Sequence, residues 1–160
     1  MKEKKSVLLI GPFPDPVSGV SLANQVVKNI LSEDSNFKVD LINTSYSRFD
    51  EQLGKFTIKK FLFYLFQSFK LIKIFNNRTI YITPGQTFYG VLKYAFFIIL
   101  GSILQKQLII HVHGNFLRKE YNSLNGIKRL VFYFLVSRFT KGIVLSNSLK
   151  DNLTPFIDES

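Results

Sequence analysis

No cysteine occurs among the 160 residues, which excludes a disulfide framework and any cysteine-ligated metal, and which suits a reducing cytoplasm. Histidine is nearly absent as well: His111 and His113 are the only two. Two histidines leave even an open catalytic zinc site one protein ligand short, so neither a metal nor another cofactor is expected. There is no G-x-G-x-x-G fingerprint and no Walker lysine motif, which leaves a dinucleotide site or a P-loop without support. Acidic residues are missing from Gln52 to Lys119, a stretch that holds ten lysines and arginines of a chain with net charge +10. Zinc-finger spacing and an RNA-recognition aromatic signature are lacking and arginines are few, so nucleic acid is not the expected partner. A basic, Phe-rich segment suits an anionic membrane surface or a negatively charged small substrate. The charged start, Met1 to Lys5, leads into the apolar run Val7–Ile10, which Gly11-Pro12 stops too early for a signal-peptide core, so no export signal is expected.

What is present reads as one domain. Val7–Ile10, about Phe37–Ile42, Thr79–Thr83, Gln107–Val112 and Gly142–Leu145 are strand-length apolar or alternating runs. Between them Leu22, Val26, Val27 and Ile30, and later Ile127, Leu130, Val131, Phe134 and Leu135, recur at helical spacing and predict core-facing stripes. Phe88 to about Leu104 reads as a buried crossover helix interrupted by Lys93 and Gly101-Ser102. Its uninterrupted apolar run falls far short of the roughly 20 residues of a bilayer span; a transmembrane hairpin with the preceding helix is the alternative. Thr57 to Phe75 is apolar well beyond one stripe. Such a helix is either deeply packed or lies in a membrane interface with Lys59, Lys60, Lys70 and Lys73 toward headgroups. Strands alternating with helices predict an α/β fold, a Rossmann-like parallel sheet with helices on both faces.

Right-handed crossovers then bring the loops around Gly19, Gly85, His113 and Ser146 to one edge of the sheet. The first loop, Gly11 to Gly19, is stiffened by prolines, contains Asp15 and ends in Ser18-Gly19, where Ser18 or Ser21 caps the next helix. A glycine at a helix start lets an anion approach free backbone N–H groups, although many such glycines serve turn geometry only. His111 and His113 lie on the same side of their strand, and His113-Gly114-Asn115 forms a polar loop at its end. They are either packed, hydrogen-bonded groups or a ligand-contacting imidazole or general base. Gln86, after Pro84-Gly85, and Ser146, in a Ser-Asn-Ser cap cluster, are further cleft candidates.

Three stretches in this order carry a resemblance: Gly11-Pro-Phe-Pro followed by Ser18-Gly19-Val20, the Ile-Ile-His-Val-His113-Gly114 strand end, and Ile-Val-Leu-Ser146-Asn-Ser. Together they resemble the N-terminal domain of retaining GT-B glycosyltransferases of family 4. The resemblance covers nearly the whole chain. It implies transfer of a sugar from a nucleotide-sugar donor to a glycan or lipid-linked acceptor, with retention and without a metal, in a cleft between two Rossmann-like domains. On that resemblance Gly19, with Ser18 in a position where the family commonly has another glycine, approaches the donor diphosphate, and His113 stands at the catalytic centre. Asp15, Gly114 and Asn115 lie toward the acceptor, and Ser146 is a looser match near the cleft. It also implies a C-terminal donor-binding domain that residues 1–160 do not include, so that the chain alone is expected to be inactive: an N-terminal domain, one subunit of a two-chain transferase, or a non-catalytic relic. The competing class is an α/β binding or membrane-attachment module without chemistry.

Overall fold

A computed structural model describes residues 4–45 and 68–157. The apolar runs form β1 (Lys5–Gly11), β2 (Phe37–Asn43), β3 (Thr79–Ile82), β4 (Gln107–Val112) and β5 (Lys141–Val144). All pair in parallel, in the order β2-β1-β3-β4-β5. Parallel neighbours need crossovers, which α1 (Gly19–Glu33) supplies between β1 and β2. The later ones run through α2 (Ile72–Phe75), α3 (Phe88–Leu92), α4 (Ala95–Ile103), α5 (Leu117–Ser123) and α6 (Gly126–Val136). The fold is α/β and Rossmann-like, as its alternating pattern predicts.

Side chains alternate across a strand, and here the two sets meet different cover. Leu8, Ile10, Ile80, Ile82, Leu108, Ile110 and Val112 are buried against Tyr94, Phe97, Ile98, Phe132 and Leu135 of the layer formed by α2–α6. Each such side chain stabilises the fold by about 1.5–3 kcal/mol relative to exposure. Val7, Leu9 and Tyr81 point the other way, where α1, the one helix of the described residues on that face, contributes Val27 and Leu31. Beside α1 the described residues leave a groove of about 770 Å³ on the sheet, lined in part by Ile30, Tyr81, Ile109, His111 and Ile143.

Two of the expected stripes are rotated. On α1 the side chains buried in the fold are Ser21 and Asn24, while Leu22, Val26 and Ile30 are exposed. The Asn24 amide decides this: its Nδ2 donates to Pro12 O at 2.9 Å and to Thr83 Oγ1 at 2.8 Å, which requires that face of the helix to meet the sheet. On α6 Phe132, Leu135 and Val136 are buried, and Ile127, Leu130 and Phe134 are exposed. Phe132 sets that rotation by joining Tyr121 and Phe156 in an aromatic cluster, with ring centroids 6.3 and 6.0 Å away.

The helix expected over Phe88–Leu104 breaks at Lys93-Tyr94, where the buried Tyr94 hydroxyl meets Thr44 Oγ1 at 2.9 Å. Gly101, expected as an interruption, instead lets α4 lie close on the sheet, since a Cβ there would stand 2.7 Å from Leu108 Cδ2 and 2.9 Å from Ile80 Cδ1. The last helix, Asn147–Asn152, is a 3-10 helix, and its Asn152 is buried, donating to Leu149 O. Most of the bulky segment before Ser68, with Lys59 and Lys60, lies outside the described residues. No helix among the described residues is long and apolar enough to cross a membrane.

Candidate functional site

From β1 the chain passes to β2 on one side and returns to β3 on the other. The loops after β1 and β3 therefore diverge over opposite faces, which makes the carboxyl ends of these strands the switch point where open α/β sheets bind ligands. The β4 loop lies beside them. Asp15, Ser18, Gly19, Gln86, His113, Gly114, Asn115 and Ser146 all follow strand carboxyl ends and so share this edge.

Gln86 is the organiser of the histidine loop. Its Nε2 donates to His113 O at 2.9 Å, and its Oε1 accepts from the backbone N–H groups of Phe116 at 2.6 Å and Leu117 at 3.1 Å. One side chain thus holds both ends of the turn from His113 to the start of α5. Gly114 sits within that turn at φ 140°, a conformation that disfavours any side chain, and a Cβ there would collide with Gln86 Nε2. Asn115 is exposed beside it.

The two imidazoles stack behind this loop with centroids 4.0 Å apart and planes 37° apart. His111 Nδ1 is hydrogen-bonded to the Tyr81 hydroxyl. Burial pushes the Tyr81 phenol up to about 12. Burial, then the charge of His113, pushes His111 down to about 4. Both groups are therefore neutral at ordinary pH, so Tyr81 donates and His111 carries its proton on Nε2, a tautomer assigned from this pairing. His113 is lowered by burial, and its Nε2 is buried with no hydrogen-bond partner among the described residues. A neutral imidazole of this kind can accept a proton or a hydroxyl hydrogen bond from a ligand.

The depressed His111 value has a measurable consequence. The unfolded chain takes up the proton first, so stability is complete above the ordinary value of 6.5 and declines as pH falls toward about 4. Discounted for solvent screening, the loss should be on the order of 1–2 kcal/mol. Thermal melts from about pH 7 to about pH 4 should show it, and a His111→Phe variant should give a flatter curve; equal slopes would remove His111 as the cause.

At the first loop Ser18 is the N-cap, in a capping box: its Oγ accepts from Ser21 N at 3.1 Å and its N–H donates to Ser21 Oγ at 2.8 Å. No atom of the described chain lies within 4 Å of where a Gly19 Cβ would be, so packing within the chain does not require glycine there. Asp15 is exposed. The loop is fixed through Phe13, whose N–H donates to Asn43 Oδ1 and Ser45 Oγ and whose carbonyl accepts from Ser45 Oγ at 2.6 Å. Asn24 ties this loop to the end of β3, yet no hydrogen bond links Asp15, Ser18 or Gly19 to the His113 loop among the described residues. The sequence reading missed Tyr81 and Asn24. The in-phase positions Tyr81 on β3 and His111 on β4 carry the first; the second has no local signature.

Ser146 occupies the cap position of the 3-10 helix but makes no capping bond; its hydroxyl meets Ser148 Oγ at 2.8 Å. Among the lysines expected at a membrane, Lys70 is exposed. Lys73 is not free for headgroups: half-buried, its ammonium donates to Leu41 O at 3.0 Å on the β2 edge. No group of three histidines, aspartates or glutamates that could hold a metal ion occurs among the described residues. Compared with known protein families the sequence matches no family model, and it matches no curated protein at a significant level.

Proposed function

We propose that this chain is the acceptor-side domain of a retaining GT-B glycosyltransferase that moves a sugar from a nucleotide-sugar donor to a lipid-linked or surface-polysaccharide acceptor, on the inner face of the cytoplasmic membrane. The observation that carries the reading is His113: its Nε2 is buried without a hydrogen-bond partner among the described residues, and the imidazole packs against His111 at the switch-point edge. In this reading Gly19, at the first turn of α1, offers the donor diphosphate its backbone N–H, as helix starts do for anions, while Ser18, whose own N–H is held by Ser21 Oγ, caps the helix beside it. The space around Gly19 suits that approach. His113 contacts the reacting sugar or acceptor hydroxyl, while Asp15, Asn115 and the backbone of Gly114 face the acceptor, with Gln86 as the support of the loop.

Donor specificity then resides in a second Rossmann-like domain, in cis or in trans. The test uses the longest natural reading frame containing this chain, incubated with a panel of nucleotide sugars and a membrane extract as acceptor. Turnover with one donor and retained anomeric configuration is expected. A folded full-length protein inert toward every donor would transfer the site to the binding-module reading.

A further inference from the structure

The outer surface of the helical layer is apolar where a water-facing surface should be polar. On α4 Phe96, Ile99 and Ile103 follow one another at helical spacing, and on α6 Ile127, Leu130 and Phe134 do the same. Both rows lie opposite the buried sides of their helices, so both point away from the sheet. They are open to solvent: Ile103 is 70% exposed, Ile127 77%, Leu130 69% and Phe96 56%. The two helices belong to one layer and touch each other, and α4 also touches α2, which adds Ile72 and Phe75, both exposed. Contiguous exposure of this kind marks an interaction surface.

The charge around these rows selects the partner. From residue 68 to 157 the sequence has twelve lysines and arginines against two acids, Glu120 and Asp151. Neither acid is free to balance the rows. Glu120 accepts from Phe88 N at 2.8 Å, and Asp151 lies 3.9 Å from an Arg118 nitrogen. The exposed Arg138 continues the α6 row one turn beyond Phe134 and the exposed Lys70 lies just before α2, while the exposed Lys128 and Arg129 flank α6 on the side of the buried Phe132, Lys128 5.9 Å from the Tyr89 ring centroid. Arg138 covers Phe134 at 4.5 Å and Arg129 covers Tyr121 at 4.6 Å, each with its charge at the margin of aromatic surface. Apolar side chains that insert, bordered by cations whose stems follow them and whose heads stay in water, match the depth profile of an anionic lipid surface.

We infer that the outward rows of α4 and α6 form a docking face for an anionic lipid bilayer, the apolar side chains entering the acyl boundary and the bordering cations meeting phosphate headgroups. This moves the centre of attachment from the lysines of the Thr57–Phe75 segment to α4 and α6, with Lys70, Ile72 and Phe75 of that segment at its border, and it stands apart from the transferase reading, because the experiment measures binding without turnover. Crossover helices run against their strands, so the first turn of α6 lies at the edge that carries His113. The bound protein would hold that edge beside the membrane.

Vesicle flotation of the full chain with phosphatidylglycerol-containing and with pure phosphatidylcholine vesicles tests it. Binding should require the anionic lipid and weaken with salt. The triple change Phe96→Ser, Ile103→Ser, Leu130→Ser should reduce it about tenfold or more, at an unchanged melting temperature because all three side chains are exposed. The control pair Leu22→Ser, Val26→Ser, on the opposite face of the sheet, should leave binding unchanged. Loss through the control pair instead, or undiminished binding by a folded triple variant, would overturn the assignment. So would absence of vesicle binding together with a dimer in solution that the triple change dissolves, which would make the face a contact between copies.

Discussion

Under the proposed transferase function, replacing His113 by alanine should lower the turnover of the full-length protein by about 10²–10⁴, the range over which a positioned acid or base contributes. The imidazole has no other evident role, since its Nε2 makes no hydrogen bond within the described chain, and its backbone carbonyl, which Gln86 holds, survives the substitution. What the fold loses is the packing of one half-buried ring against His111, a change that should leave a cooperative melt within a few degrees of the parent, since about 1 kcal/mol shifts a domain of this size by roughly 4 °C. A large loss of turnover with a small loss of stability separates a reacting group from a packed one. The pH profile adds a second mark. Burial lowers the His113 value below the ordinary 6.5, so the neutral imidazole persists into mild acid and the His113-dependent rate should fall only as pH drops through that lowered value. Full turnover by a folded alanine variant would return His113 to a packing role.

The sheet was legible because strand-length apolar runs punctuated by Gly and Pro admit few other readings, and because alternation with helices leaves essentially one topology class. The shared edge followed from topology alone. The rotations of α1 and α6 were not legible, for a physical reason common to both. Apolar periodicity identifies the most hydrophobic row of a helix, whereas the buried row is the one whose long-range contacts cannot be made elsewhere: the Asn24 amide to Pro12 and Thr83 on α1, and Phe132 against Phe156 on α6. The apolar rows left outside are then surplus to the fold, and this surplus on α4 and α6 defines the docking face. Within the site His113 was singled out by rarity. The role of Gln86 was hidden, because its partners are backbone groups 27 to 31 residues away.

Gln86 and Gly114 should prove energetically coupled. Gln86→Ala frees the His113 carbonyl and the Phe116 and Leu117 N–H groups together. Water reaches part of this turn, so the expected cost is about 2–3 kcal/mol, as for removing one partner of several half-buried hydrogen bonds. Gly114→Ala costs a similar amount by two routes: a side chain forced to φ 140°, about 1–3 kcal/mol, and a Cβ driven into the Gln86 amide. Only the second route disappears when Gln86 is already alanine. The double variant should therefore be less destabilised than the sum of the singles, by about 1 kcal/mol or more, as urea melts of the four proteins would measure. Simple additivity would mean that the alanine at 114 is accommodated without displacing Gln86, and that the turn is held by something other than this amide. The cycle also bears on turnover. If Gln86 sets the position of His113 through its carbonyl, both single variants should lower kcat in the full-length enzyme while leaving donor KM nearly unchanged, because in this reading donor specificity resides in the second domain.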